Sequence, residues 1–245
     1  MLKALFKNYI YPVVVFSGGM IGVGFLSLPY IAMKAGIWLM LLYFLVITGL
    51  IVVINSIFCK ISLKTPDFKR FPGFVGHYLG KWGGGVAMIA TIFATMGVAL
   101  AYLIVGSQFL AAVFQPIFSG DAMTYVFIYF LVVSTIVYFD IKIISRVEFW
   151  VLALLVLSLL FIFVGSFSQI KLSNIFVVDW KSQAGNFFLP YGALLFALWG
   201  TGLIPETEEM LIGKKKKLKT IVVASTIAVS VFYLFTQDLK ALIAL

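Results

Sequence analysis

Seven stretches of this chain run for 18 residues or more without a charge: Ile10–Met33, Ala35–Cys59, Trp82–Gly120, Ala122–Phe139, Phe149–Ile170, Ser182–Pro205 and Thr220–Gln237. A hydrocarbon core about 30 Å thick needs about 20 residues of helix at 1.5 Å each. Each run is therefore read as one crossing, and the whole chain, residues 1–245, as a single all-α polytopic membrane domain with no extramembrane domain left over. Composition agrees, with 63% hydrophobic and 11% charged residues. The third run is much longer than one crossing requires, which predicts a strongly tilted helix or one whose ends leave the hydrocarbon.

The net charge of +9 is organised by loop rather than as a nucleic-acid patch. Lys3 and Lys7 precede the first run; Lys60, Lys64, Lys69, Arg70 and Lys81 surround the second connector; Lys142 and Arg146 follow the fourth; Lys214, Lys215, Lys216, Lys217 and Lys219 follow the sixth. Only Lys34, Lys171, Lys181 and Lys240 fall on the other side. By the positive-inside rule the N-terminus is cytoplasmic and the far end of the seventh span is outside. The lysine run then acts as an orientation anchor, and no nucleic-acid partner is expected. An uncleaved N-terminus is also expected, because the first apolar run is too long for a signal-peptide core.

One cysteine, Cys59, and one histidine, His77, leave no material for a Cys/His metal cluster or an internal disulfide. His77 falls in "TPDFKRFPGFVGHYLGKWGG", read as a basic connector. No histidine or lysine lies within the seven runs, which argues against a membrane-embedded enzyme. A seven-helix retinal protein would need a lysine in the last span, and Thr220–Gln237 has none.

The first run contains "SGGMIGVGFLSLPY", with Gly22-Val23-Gly24 followed by Pro29, and the sixth contains "FALWGTGLIPETEEM", with Gly200-Thr201-Gly202 followed by Pro205. Glycine weakens a helix by about 1 kcal/mol and proline by about 3 against alanine, so both spans are built to break near their middles. Five crossings separate them, and an odd number makes the second copy enter from the opposite face. That is the arrangement of inverted-topology repeats with broken first helices. Such a break frees backbone N–H and C=O groups, whose poles suit the carboxylate and ammonium of a zwitterionic amino acid. Close packing of small residues is the alternative use of the same glycines.

These residues resemble a known family. "GGMIGVGFLSLPYIAMKAG" is similar to the first helix, and "YGALLFALWGTGLIPETEEM" to the sixth, of amino acid permeases of the amino acid–polyamine–organocation superfamily, nearest the amino acid/auxin and aromatic amino acid permease branches. "YLGKWGG" entering a long third span with Tyr102 inside it fits as well. The resemblance implies the five-plus-five inverted-repeat, leucine-transporter-like fold, with helices one and six broken, residues 1–170 as the first repeat and 182–245 as an incomplete second.

It implies secondary active transport of an amino acid across the cytoplasmic membrane. Backbone groups of Gly22, Val23 and Gly24 would meet the substrate carboxylate, with Gly19 in the same set one turn earlier. Ala197, Gly200 and Thr201 would face the amino group or side chain, and Tyr102 and Trp199 would serve as pocket or gate aromatics. Val23 stands where many relatives carry a hydroxyl. Glu206, just after the second break, is a candidate for ion or proton coupling. No cofactor is implied; the coupling ion, Na+ or H+, stays open because the eighth helix, which supplies part of the sodium site in relatives, would follow the seven spans. Span five has no lysine of the kind that replaces sodium in some proton-coupled relatives. The alternative expectation is a non-transporting piece of a split permease, or a subunit whose missing C-terminal helices arrive as a separate chain.

Overall fold

The computed structural model of the 245-residue chain describes residues 9–138, 154, 157, 158, 160, 161, 164, 165, 185–211 and 215–243, with side chains placed as far as Thr236. The described residues are helical or irregular throughout. The expected fifth span, Phe149–Ile170, lies mostly outside them.

Helix α1, Tyr11–Met20, starts on Pro12, which suits a first turn because the missing N–H has no intrahelical partner there. The backbone then turns extended at Ile21 and Gly22. A 3-10 turn, Val23–Ser27, leads into α2, Leu28–Ala35, again with proline in the first turn. The two sides of this interruption are bent by 57°. Gly36 takes φ 84°, a left-handed value that favours glycine, and closes α2 directly onto α3, Ile37–Lys64.

Helix α4 spans Phe71–Phe114 and leaves helical geometry at Gly80, where φ is 75°. The connector expected around His77 is therefore mostly helix. Pro72 and the glycines that suggested a loop act as a helix start, a bend and a contact: a Cβ on Gly84 would stand 3.0 Å from Gly76 Cα across the bend. Helix α5, Ala122–Tyr138, follows. After the undescribed stretch come α6, Leu189–Ala197, a 3-10 turn at Thr201–Leu203, α7, Ile204–Met210, a further 3-10 turn at Lys215–Lys217, and α8, Leu218–Ile243. By length and apolar composition α3, α4 and α8 can each cross a bilayer, and the bent pair of α1 with the segment from Val23 to Ala35 would make a fourth.

Chain contacts divide into two compact units. Residues 1–85 and 163–245 form the first, in which α8 is the central helix, packed against α3, α1 and α2. Paired side chains fix the directions. Thr48 meets Ser230 and Asn55 meets Thr226, so α3 and α8 run antiparallel. Val13 O accepts from Ser225 and Met20 O from Tyr233, so α1 and α8 run parallel. Phe16, Leu28, Phe44, Ile51 and Leu198 fill the interior between them. In the second unit, 86–162, Tyr129 of α5 packs over Gly106 of α4 where a Cβ would overlap its ring, and Tyr125 donates to Phe118 O.

Candidate functional site

Both interruptions lie in the first unit and touch each other. A Cβ on Gly19 would come 2.8 Å from Leu203, one on Gly24 would come 2.9 Å from the Phe196 ring and 3.2 Å from Ala197 Cα, and one on Gly200 would come 2.8 Å from Met20. Residues 19, 20 and 24 thus face 203, 200 and 196–197 in reverse order. The two interrupted segments run antiparallel, and their glycines let the backbones close.

The backbone groups released at the breaks have specific partners. Helix α1 ends with Met20 and α6 with Ala197, and the last carbonyls of a helix have no intrahelical donor. Tyr233 of α8, fully buried, places its Oη 3.1 Å from Met20 O and 3.3 Å from Ala197 O. One phenol proton is therefore shared between the ends of two helices. The Tyr233 ring stacks within 6° of parallel on Phe25, in the turn just past the first break.

Past the second break, Thr201 donates to Asn55 Oδ1 at 2.8 Å, and Asn55 Nδ2 donates to Thr226 Oγ1 at 3.2 Å. Asn55, Thr201 and Thr226 are all buried. The amide thereby ties the second interruption to the centres of α3 and α8. An orphaned amide in this apolar setting would cost about 1–3 kcal/mol, which is why a lone polar side chain here needs both neighbours. Ser17, one turn before Met20, has a buried Oγ with no hydrogen-bond partner among the described residues.

Charged groups gather at one end of this unit. Arg70 pairs with Glu206 at 3.1 Å and with Glu209 at 3.7 Å, all three well exposed. Glu208 differs: its side chain is 4% exposed, accepts from Ser62, and pairs with Lys215 at 2.9 Å. Lys215 also lies over the Phe68 ring and Lys217 over Tyr9. The connector after α3, the segment after α7 and the start of α1 therefore share one end. At the other, Asn186 Nδ2 reaches Lys34 O at 3.5 Å and Tyr43 contacts Phe187 edge to face.

Of the residues singled out in the sequence, Gly19, Gly24, Ala197 and Gly200 come together in the contact between the breaks, with Gly22 and Val23 half-buried beside them. Thr201 is there too, with its hydroxyl engaged by Asn55. Trp199 is 54% exposed, and Glu206 sits in the charged end. Tyr102 belongs to the second unit. Asn55, Glu208 and Tyr233 were not singled out. Glu208 stands one helical turn past Ile204, on the buried side of α7 with Thr207. Asn55 is the one amide of its run and Tyr233 one of several hydroxyls in its own, and their sequence positions do not identify their partners.

A family model described as transmembrane amino acid transporter protein matches residues 8–236. No curated protein and no solved structure matches the chain.

Proposed function

Because the chain belongs to the transmembrane amino acid transporter family, a family of multi-pass membrane proteins and not of enzymes, we propose that it carries a zwitterionic amino acid across the cytoplasmic membrane by alternating access, with the substrate held where the two interrupted segments meet. The observation that carries this is their antiparallel contact, Gly19 to Leu203 and Gly24 to Ala197. Opposed directions bring a helix end with carbonyls and a helix start with N–H groups to the same place from both segments, a pole for each substrate charge. Backbone at Gly22, Val23 and Gly24 takes the carboxylate; Ala197, Gly200 and Thr201 take the ammonium and side chain.

In this conformation Phe16, Met20 and Phe196 fill the space beside the glycines. Substrate therefore enters when the segments move apart, and Thr201 exchanges its bond to Asn55 for one to the substrate. The two segments begin the halves of an inverted repeat, and rocking of one half against the other supplies the motion. The lysine-rich end, where Lys215, Lys217 and Arg70 gather, faces the cytoplasm with the N-terminus. Glu206, paired with Arg70 there, is the candidate group for coupling to an ion gradient.

Binding of radiolabelled phenylalanine and leucine to the chain in nanodiscs tests this directly. Competition by the matching decarboxylated amine and by the deaminated acid is expected to be weaker by about 10- to 100-fold each, since either loses one charge-assisted pole. An amine that competes as well as the amino acid overturns the two-pole site. Proteoliposome uptake under imposed sodium and proton gradients then identifies the coupling.

A further inference from the structure

Met20 O and Ala197 O end the first helical halves of the two interrupted segments, so each carries the negative pole of its helix. Both point at one atom, Tyr233 Oη. Converging carbonyls in a membrane interior need a donor or a cation, since each unsatisfied group costs several kcal/mol in hydrocarbon. The tyrosine is held to that point from several sides. Its ring is stacked on Phe25, and its helix is pinned nearby by Ser230 to Thr48 and by Thr226 to Asn55. Tyr233 is thus a fixed donor built into the gap rather than a side chain that happens to pass it.

We propose that the Tyr233 hydroxyl occupies a cation position between the two interrupted segments, so that they close on each other without a metal ion, and that removing this hydroxyl opens a site for a small monovalent cation. Its ligands in the variant would be Met20 O and Ala197 O, with Ser17 one turn away offering its buried Oγ, which has no hydrogen-bond partner among the described residues. The consequence for transport is that wild-type closure draws on the hydroxyl proton and not on sodium. Although this position belongs to the site proposed above, the test uses no amino acid, so either proposal can fail while the other stands.

The test is thermal unfolding of the purified full chain in nanodiscs, in sodium, lithium or choline chloride at equal ionic strength. Wild type is expected to unfold at one temperature in all three. Tyr233→Phe is expected to unfold several degrees lower in choline and to recover by about 2–4 °C, saturably, as sodium or lithium replaces it. Saturable stabilisation of wild type by sodium overturns the proposal, and so does a folded Tyr233→Phe that ignores all three cations. Should Tyr233→Phe not fold, site-specific 3-fluorotyrosine at position 233 decides the matter. Its hydroxyl is a stronger donor, so it raises the unfolding temperature if the hydroxyl holds the two carbonyls. No change would mean that only the ring packs, and would overturn the proposal.

Discussion

Hydroxyl and amide groups reach further in one compact unit than in the other. In the unit of residues 86–162, Thr91, Thr95, Ser107 and Thr135 each donate to a carbonyl three or four residues back in their own helix. In the other unit Thr65, Thr207, Ser225 and Thr226 back-bond in the same way, but Thr201 also reaches Asn55, Asn55 reaches Thr226, Ser62 reaches Glu208 and Tyr233 reaches Met20 and Ala197. A back-bonded hydroxyl satisfies itself wherever its helix goes, so it specifies nothing about neighbours. A cross-segment bond is made in one register only. The unit with the interrupted helices is thus the one whose polar groups fix the mutual position of segments far apart in sequence.

The largest expected effects that would sharpen this contrast come from the glycines of the contact. Gly24→Leu and Gly200→Leu drive side chains into Ala197 Cα and into Met20 and Phe16, so each is expected to abolish amino acid binding and to lower stability by about 1–3 kcal/mol or more. Gly202→Ala, one step from the break but facing open space, is expected to bind like wild type. Equal binding by Gly24→Leu would detach the contact from function.

Next in size is Asn55→Ala against Thr135→Val, compared by unfolding in nanodiscs. The first strands Thr201 and is expected to cost about 1–2 kcal/mol, and the second, whose hydroxyl bonds only its own helix, below about 0.5. Comparable losses would break the comparison.

Glu208→Gln should cost more than Glu206→Gln, because Glu208 is buried with Ser62 and Lys215 whereas the Glu206–Arg70 pair is solvated and is worth about 0–1 kcal/mol. Uptake that responds to Glu206→Gln in its pH dependence, and not to Glu208→Gln, would assign coupling to the exposed acid.

The smallest effect lies in the second unit. Asp121 caps the start of α5, accepting from the hydroxyl and the N–H of Thr124, and these bonds hold its carboxyl below the usual carboxylate range. A depressed carboxyl contributes stability that is present above its unfolded value, near 3.9, and fades as the pH falls through the folded value. Asp121→Ala is expected to remove that slight acid sensitivity, measured as the unfolding temperature between neutral and strongly acidic pH.

Much of this was legible in the sequence because apolar length is a local property. Helices α3, α4 and α8 each contain a run with no charge for about a membrane's width, and the two Gly-x-Gly pairs lie where the backbone leaves helical geometry. Asn55 was not legible, because one amide in a run of apolar residues looks the same whether it faces lipid, a cavity or Thr201, 146 positions away. Tyr233 is hidden for the same reason. Of the acids of "PETEEM" Glu206 was singled out, but their order of burial was not legible, because it depends on where Ser62 and Lys215 arrive. The stretch around His77 misled because proline and glycine mark loops and helix starts alike.

Gly36 joins α2 to α3 with no slack residue between them. The segment from Val23 to Ala35 therefore acts as a lever with its fulcrum at one glycine. Five residues of 3-10 turn and eight of α-helix make an arm of about 22 Å. A swing of about 10° at the fulcrum carries Val23 sideways by about 4 Å on such an arm. Two torsions at Gly36 are in this way geared to a displacement the width of a side chain beside the contact between the two interrupted segments.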